Sequence, residues 1–387
     1  MFLALRELAF ARGRFSLMGL VIGLIAILMV LLSGLSAGLV NDGVSGLKAQ
    51  PVHAFAFDEG TKTDNAFSRS VVDADQLAAW QDQPDVAHAE FMGASIVNAE
   101  TQDGMQVDFT LFGVDPNGFL SPTPAEGEAL GDPAGVVVSE TLREEGVELG
   151  TVVTLDRIGT ELTVIGYTDG QATFGHVDVA YLPLATWQLI AAGQAPDGSA
   201  PTQEQLAALE FDQASVIALQ GTEGSPLAAA EETALAAGDA AATTTAMSLE
   251  ESFNASPGYQ AEMMTLSMIQ VFLYAIGALV VGAFFTVWTI QRSHELAVLR
   301  AMGASAGYLL RDGLAQAAIL LLVFTALGVG AGVGLGSLMP AGMPFALEAQ
   351  PIAIASVLTI LLGLVGAAVA VLRVTRIEPI SALGGHR

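Results

Sequence analysis

The chain has 387 residues, no cysteine and a net charge of −26, with a mean hydropathy of +0.55. The lack of cysteine excludes a disulfide-stapled domain, and the acidic balance excludes a nucleic-acid-binding protein, because phosphates require a basic face. High hydropathy and high charge do not fit one globular body, so the charge must be segregated. Residues 42–262 hold 35 acidic and 5 basic residues, a net of −30, whereas the remainder holds nine arginines and five acids.

The N-terminal region predicts a membrane helix with a basic flank. Residues 1–14 alternate arginines with leucines, which indicates either a short amphipathic helix on the membrane surface or a simple basic flank. Residues 15–41 form the first predicted span, since residues 15–40 carry no charge and are long enough to cross a bilayer. A cleaved signal peptide is the competing interpretation, but the apolar run is too long for a usual signal core. We therefore predict a retained helix.

The acidic region, residues 42–262, carries mixed strand and helix signals between turn residues. Helices are predicted at 75–83, at 141–146 and over the Ala-rich stretch 222–246. Strands are predicted at 54–57, 96–97, 106–114, 135–140, 151–155, 161–167, 177–182 and 211–220. The pattern predicts an α+β domain inserted between two membrane helices, either as one body or as two lobes.

A second span and a polar segment follow the acidic region. Residues 263–291 carry no formal charge, and residues 292–311 form a short amphipathic segment with arginines at 292, 300 and 311. A membrane helix that ends in such a segment predicts an element that contacts a partner at the membrane surface and passes movement to the helix. Residues 312–338 and 351–372 predict two more spans, separated by an external loop at 339–350 and followed by a tail at 373–387.

The distribution of cations predicts the topology. Four spans place both termini on one side, and the arginines of the N-terminal flank, the 292–311 segment and the tail all fall on that side. By the positive-inside rule this side is cytoplasmic, so the acidic domain is extracellular. The glycines at every second position from 328 to 336 predict close helix packing rather than a nucleotide loop, because no strand precedes them.

Catalytic motifs do not point to an enzyme. The two lysines, Lys48 and Lys62, lie outside any phosphate-binding loop, so ATP hydrolysis requires a separate protein. The His294-Glu295 pair lacks the second histidine of a zinc protease, because position 298 is Val298. The five histidines include no i, i+4 pair that would build a metal site.

Three separated motifs resemble the MacB-type ABC transporter permeases, a family that includes lipoprotein-release and FtsX-like cell-division permeases. The segment RSHELAVLRAMGAS (292–305) is similar to the family's coupling segment, VVVSETLREEGVELGTVVTL followed by TVIGYTDG is similar to its core external repeat, and RIEPISAL resembles its C-terminal ending. Within the family, SPGYQAE before the second span resembles the haem-exporting permeases of haem-regulated transporters. Glycolipid exporter permeases share these features.

The resemblance implies a homodimer in the cell membrane that works with two copies of an ABC ATPase and exports haem. ATP is bound by that partner, and haem enters from the outer leaflet between the first two helices. The ATPase-coupling residues it implies are Arg292, His294, Glu295, Val298, Leu299, Arg300, Met302, Gly303, Ala304 and Ser305. An exporter of a lipid, glycolipid or peptide, a non-transporting transmembrane signal-transmission protein of the cell-division type, and a sensor of an external ligand remain alternatives.

Haem needs apolar walls, partners for two propionates and an axial donor to its iron. Glu59 is our first choice of iron ligand and His53 the second, while Lys48 and Arg69 are possible partners of the propionates. Phe272 is a further candidate wall. The haem-binding candidates as a set are His53, Phe55, Phe57, Asp58, Glu59, Tyr259, Met263, Met264 and Met268.

Overall fold

The computed structural model describes residues 12–291, 298, 302–340 and 343–375. The chain divides into two compact units, one formed by Met1–Leu39 with Met263–Arg387 and the other by Val40–Glu262. We call them the membrane unit and the inserted domain. The inserted domain is one body rather than two lobes. Most of the predicted N-terminal amphipathic helix and of the C-terminal tail lies outside the described residues.

Four helices in the described part of the chain are long and apolar enough to cross a bilayer. They are α1 (Arg12–Lys48), α9 (Tyr259–Gln291), α10 (Ala306–Gly336) and α11 (Ala349–Thr375). The predicted fold class, four membrane helices with a mixed α/β domain between the first and the second, is confirmed.

The largest differences from the predicted ends of the membrane helices are at the end of α1 and at the start of α10. Helix α1 continues to Lys48 instead of ending at 41, with a break in helical geometry at Val44 (φ −145°, ψ 15°). Its last turns carry Val44 and Leu47, which are buried in the inserted domain, and this burial extends the helix beyond its apolar run. Helix α10 begins at Ala306, so Arg311 lies inside the helix and not in the preceding polar segment.

Glycines let the membrane helices approach closely. A Cβ atom at Gly19 of α1 would fall 2.1 Å from the ring of Phe324 in α10, and one at Gly328 would fall 2.5 Å from the carbonyl oxygen of Gly23. A Cβ at Gly366 of α11 would fall 2.3 Å from the carbonyl oxygen of Ala278 in α9. The predicted close packing through small residues is therefore present.

The inserted domain is built on an 11-stranded sheet. Its strands are β1 (Ala54–Asp58), β2 (Val86–Thr101), β3 (Gln106–Val114), β4 (Glu126–Gly127), β5 (Gly135–Val138), β6 (Val152–Leu155), β7 (Glu161–Tyr167), β8 (Thr173–Phe174), β9 (Val177–Pro183), β10 (Val216–Gly221) and β11 (Thr244–Ser248). The main path runs β11-β1-β10-β2-β3-β9-β5-β7-β4, with β6 paired to β2 and β7, and β8 paired to β9. Pairs β3·β9 and β5·β7 are parallel, and the other pairs are antiparallel.

Short helices cover the sheet. They are α2 (Ala66–Arg69), α3 (Ala74–Gln81), α4 (Thr141–Glu144), α5 (Leu184–Ala191), α6 (Gln203–Ala207), α7 (Glu232–Ala242) and α8 (Leu249–Ser252). Capping boxes begin three of them, at Asp73, Thr202 and Ser248, where a side-chain oxygen accepts a bond from a free backbone N–H. One hydrophobic cluster contains Trp80 and Trp187, and the other contains Phe67 with the last turns of α1. Both faces of the sheet are therefore buried.

Candidate functional site

The predicted ATPase-coupling segment is described at Val298 and from Met302 to Ser305. Val298 and Met302 are 44% and 72% exposed, Gly303 has a positive φ of 98°, and Ser305 caps α10 by accepting a hydrogen bond from the Tyr308 N–H at 3.2 Å. Glycine is favoured at such a φ and serine at a helix start, which explains the Gly-Ala-Ser spacing. Arg292, His294, Glu295, Leu299 and Arg300 lie outside the described residues.

Two of the predicted haem walls lie in the core of the inserted domain. Phe55 and Phe57 are 0% and 1% exposed, and both rings make edge contacts with Phe67, at centroid distances of 5.4 and 5.1 Å. Strand β1 lies between β10 and β11, so both of its edges are paired. Its alternate residues enter the two hydrophobic clusters, Ala54 and Ala56 on one face and Phe55 and Phe57 on the other. These two residues stabilise the domain and present no surface to a ligand, which corrects the prediction.

The polar candidates near β1 are tied into the domain by hydrogen bonds. The Nδ1 atom of His53 accepts a bond from the Gly221 N–H at 3.0 Å. The neutral ring therefore carries its proton on Nε2, and His53 would have to give up this bond to offer a lone pair to an iron ion. Asp58 accepts a bond from the Gln76 amide at 3.1 Å. Glu59 is exposed in the turn after β1. Burial raises the pKa of Asp239, and the negative charge of Glu59 adds a smaller increase.

The candidates on α9 separate into a packed set and an exposed set. Tyr259 packs against Phe253 at a centroid distance of 6.2 Å, and Met263 is half-buried. Met264, Met268 and Phe272 are 63%, 56% and 62% exposed. Their spacing of four residues places the three side chains on one face of the helix. We call these three residues the α9 stripe.

One polar cluster of the inserted domain was not predicted. It joins the end of α1, the β8–β9 hairpin and the start of α9 through His176. Its ring forms two hydrogen bonds, one between Nδ1 and the Asp42 carboxylate at 2.8 Å and one between Nε2 and the Glu262 carboxylate at 3.1 Å. The three residues lie far apart along the chain, so no local sequence pattern links them, and His176 is one of the five histidines that have no i, i+4 partner.

The described residues give no support for a catalytic or metal centre. Among them, no group of three or more His, Cys, Asp and Glu side chains is arranged to hold a metal ion. Gly34-Leu35-Ser36-Ala37-Gly38 has the G-x-S-x-G spacing of a serine hydrolase, but the five residues lie inside α1. A hydrolase serine needs a strand-to-helix turn, which exposes its hydroxyl.

Comparisons with known proteins identify the family. A family model described as the MacB-like periplasmic core domain matches residues 15–237, and one described as the FtsX-like permease C-terminal matches residues 267–379. The chain belongs to the MacB/FtsX-like permease family. The first match covers most of α1 and most of the inserted domain of this permease, and the second covers α10, α11 and most of α9.

Relatives of the permease include proteins assigned to hemin transport. A Staphylococcus haemolyticus protein assigned as the hemin transport system permease protein HrtB is 23% identical over 383 residues, covering 99% of both chains. Its Staphylococcus epidermidis counterpart is 32% identical over 127 residues, covering 33% of this chain and 36% of that protein.

Similar solved structures include parts of other transporters. The periplasmic region of MacB from Actinobacillus actinomycetemcomitans aligns with a TM-score of 0.37 at 12% identity, covering 52% of this chain and 90% of that one. The extracellular domain of the noncanonic ABC-type transporter YknZ aligns with a TM-score of 0.34 at 12% identity, covering 51% and 98%.

Proposed function

We propose that this permease is the membrane subunit of an ABC-type efflux pump that removes haem from the outer leaflet of the cell membrane. The observation that carries the proposal is the similarity to a hemin transport permease over 99% of both chains. In this proposal the chain forms a homodimer and binds two copies of an ATPase subunit, which supplies the ATP site that the permease lacks.

The charge distribution supports an extracellular position for the inserted domain. Nine arginines and five acids lie outside residues 42–262, and the arginines lie near the two termini, between α9 and α10, and in the second turn of α10. The segment between α10 and α11, residues 337–348, has no cation. Because short cytoplasmic segments retain positive charge, the termini and the coupling segment are cytoplasmic.

Coupling to the ATPase is proposed at residues 292–305, between α9 and α10. The exposed Val298 and Met302 offer apolar contacts to a partner, and the Ser305 cap fixes where α10 begins. ATP-driven closure of the ATPase pair would press on this segment and turn α9. We expect Glu295→Ala with Arg300→Ala to abolish haem-stimulated ATP hydrolysis by the complex. Unchanged hydrolysis and export would contradict this assignment.

Haem contact is proposed at the α9 stripe. Methionine sulfur is an axial donor to haem iron in other proteins, and Met264, Met268 and Phe272 together form an exposed apolar strip on α9. Glu59 and His53 remain proposed iron ligands on the inserted domain. Closing the helices on the haem would expel it outward.

A haemin titration of the purified permease in lipid nanodiscs tests the proposal. We expect a shift of the Soret band on binding, and we expect Met268→Leu to weaken haemin affinity about tenfold, which corresponds to about 1.4 kcal/mol. Leucine keeps the volume and the apolar character but removes the sulfur donor. Met302→Leu is the matched control, because Met302 is also exposed but lies next to the cytoplasmic end of α10 in the proposed topology.

The same titration with Glu59→Ala and with His53→Ala tests which of these two residues of the inserted domain binds the haem iron. A changed Soret position identifies the ligand that was lost. If haemin causes no shift in the parent permease, haem is not the substrate, and export assays with lipids, glycolipids and peptides would follow.

A further inference from the structure

The His176 cluster connects three segments of the inserted domain at one point. Strands β8 and β9 are joined by Gly175 and His176 alone, and both residues have positive φ values, of 62° and 64°. Two positive φ values in a two-residue loop define a type I′ turn, which matches the twist of the flanking strands. The turn therefore presents the imidazole from a fixed backbone.

The hairpin is held against α1 by bonds that do not involve the ring. The Gly175 N–H donates to the Gly43 carbonyl at 2.8 Å, and the Thr173 N–H donates to the Ser45 hydroxyl at 2.9 Å. The Ser256 hydroxyl, just before α9, also donates to the Gly43 carbonyl, at 3.3 Å. Both helix ends thus meet the hairpin beside Val44, where the helical geometry of α1 breaks.

The ring adds a bridge whose strength depends on protonation. Asp42 and Glu262 lie on opposite nitrogens of His176, at 2.8 and 3.1 Å. A protonated imidazole has two N–H donors, one for each carboxylate, whereas a neutral imidazole has one donor and one acceptor. Loss of the proton therefore leaves one carboxylate facing a lone pair, and that hydrogen bond is lost.

Charged groups around the ring favour the protonated form. Partial burial lowers the pKa of His176, but the hydrogen bond from the ring to Asp42 and the negative charge of Glu262 outweigh it, so the pKa lies above its ordinary value. On its own hairpin the neighbouring Asp178 adds negative charge, and its carboxylate interacts with Asp42. On α9, Tyr259 is the other titratable group facing this point. In the described part of the chain, no lysine or arginine forms an ion pair with Asp42 or Glu262.

We propose that His176 is a proton-controlled clamp, which ties the end of the first membrane helix to the start of the second through Asp42 and Glu262 and releases one of them when it loses its proton. The ring is 37% exposed, so protons reach it from solvent. His176 is a positioning residue, because it fixes the separation of two helix ends whose movement any transport cycle would need. The clamp does not depend on the identity of the substrate.

The test uses the absence of cysteine from the permease. Ser256→Cys places a single thiol where the serine is 1% exposed, and its rate of reaction with a maleimide reports how often residues 256–262 separate from Gly43. The rate is measured in the full-length permease in nanodiscs, with and without His176→Asn. Asparagine tolerates the left-handed conformation of residue 176 but is too short to bridge two carboxylates.

The readout is the ratio of the two labelling rates at one pH, because thiol ionisation then cancels. We expect His176→Asn to react about tenfold faster at about pH 5, where the clamp is closed in the parent, and equally fast at about pH 9, where the parent ring is neutral. A ratio that is the same at both pH values overturns the proposal, whether it equals one or exceeds one, since a purely structural role would not titrate.

A control and a second measurement keep the test decisive. His88→Asn alters an exposed histidine of the same domain and should leave the ratio at one. If His176→Asn does not fold, the parent alone suffices. Two single-cysteine variants that keep His176 are then compared, Ser256→Cys and the exposed Ser68→Cys. The maleimide labelling rate of the first divided by that of the second should rise as pH increases through the raised pKa of His176. A flat quotient overturns the proposal.

Discussion

The two units of this permease bury their apolar surface in different ways. The inserted domain packs large side chains against one another, as in the cluster where Phe67 contacts Phe55, Phe57 and Phe174 at 5.1–5.4 Å. The membrane unit has an aromatic contact of its own, Phe15 with Trp288 at 4.7 Å, but it also brings backbone against backbone. At Gly366 an added Cβ would lie 2.3 Å from the Ala278 carbonyl oxygen.

The difference follows from the two solvents. In water, removing an aromatic side chain from solvent is itself favourable, so large residues drive the packing. In lipid the tails are as apolar as leucine, and helices associate through close van der Waals contact, which small residues permit. The inserted domain should therefore be sensitive to lost volume and the membrane unit to added volume.

Adding volume to the α9–α11 contact should have the largest effect. The two methyl groups of Gly366→Val have no room, because the clashing atom belongs to the backbone of Ala278. We expect a cost above about 4 kcal/mol, the range reached by severe overpacking, seen as loss of monodisperse protein in size-exclusion chromatography. Gly330→Val in α10 is the control, since a Cβ there meets nothing within 4 Å. Equal loss in both variants would remove the contrast between the units.

Removing volume from the inserted domain should have the next largest effect. Phe67→Ala deletes a ring that is 0% exposed and should destabilise the domain by about 3–5 kcal/mol, measured as a lower unfolding temperature. Val71→Ala, at a residue that is 53% exposed, should cost little. An unfolding temperature that is unchanged by Phe67→Ala would mean that the aromatic cluster is not what holds this domain together.

A half-buried carboxylate gives the inserted domain a smaller dependence on pH. Burial raises the pKa of Asp178, although its hydrogen bonds with Thr141 and Ser139 oppose the shift. Because the folded pKa is above the unfolded value, stability is full below the unfolded pKa and declines as pH rises through the folded one.

Asp178→Asn removes this charge and should raise the unfolding temperature slightly at neutral pH, with no gain under acidic conditions. Differential scanning fluorimetry at both pH values measures it, with the exposed Asp82→Asn as the control. A gain that persists in acid would show that the carboxylate charge is not its cause.

Much of the fold follows from patterns that are local in sequence. Uncharged runs located all four membrane helices, and alternating residues located strands such as β3 (Gln106–Val114), because burial of one face repeats every second residue. The glycines from 328 to 336 also indicate close helix packing, and a Cβ at Gly328 would fall 2.5 Å from the Gly23 carbonyl oxygen.

Other features depend on contacts that are distant in sequence. The stretch 222–246 was predicted as helix, but α7 ends at Ala242 and β11 follows, because Thr243 takes a left-handed conformation and β11 pairs with β1. The role of Phe55 and Phe57 was misassigned for the same reason. Their strand is covered on both faces by partners from elsewhere in the chain, which an apolar run alone does not reveal.

Helix α1 is part of the folding unit of the inserted domain as well as a membrane anchor. Val44 and Leu47, which follow the apolar run, are 0% exposed within the domain, and Asp42 holds His176. A soluble fragment that starts after residue 48 would therefore lack two buried side chains of its own core and the Asp42 carboxylate that pairs with His176. Studied alone, such a fragment would report on a loosened domain, so biophysical work on the isolated domain should begin at or before residue 40.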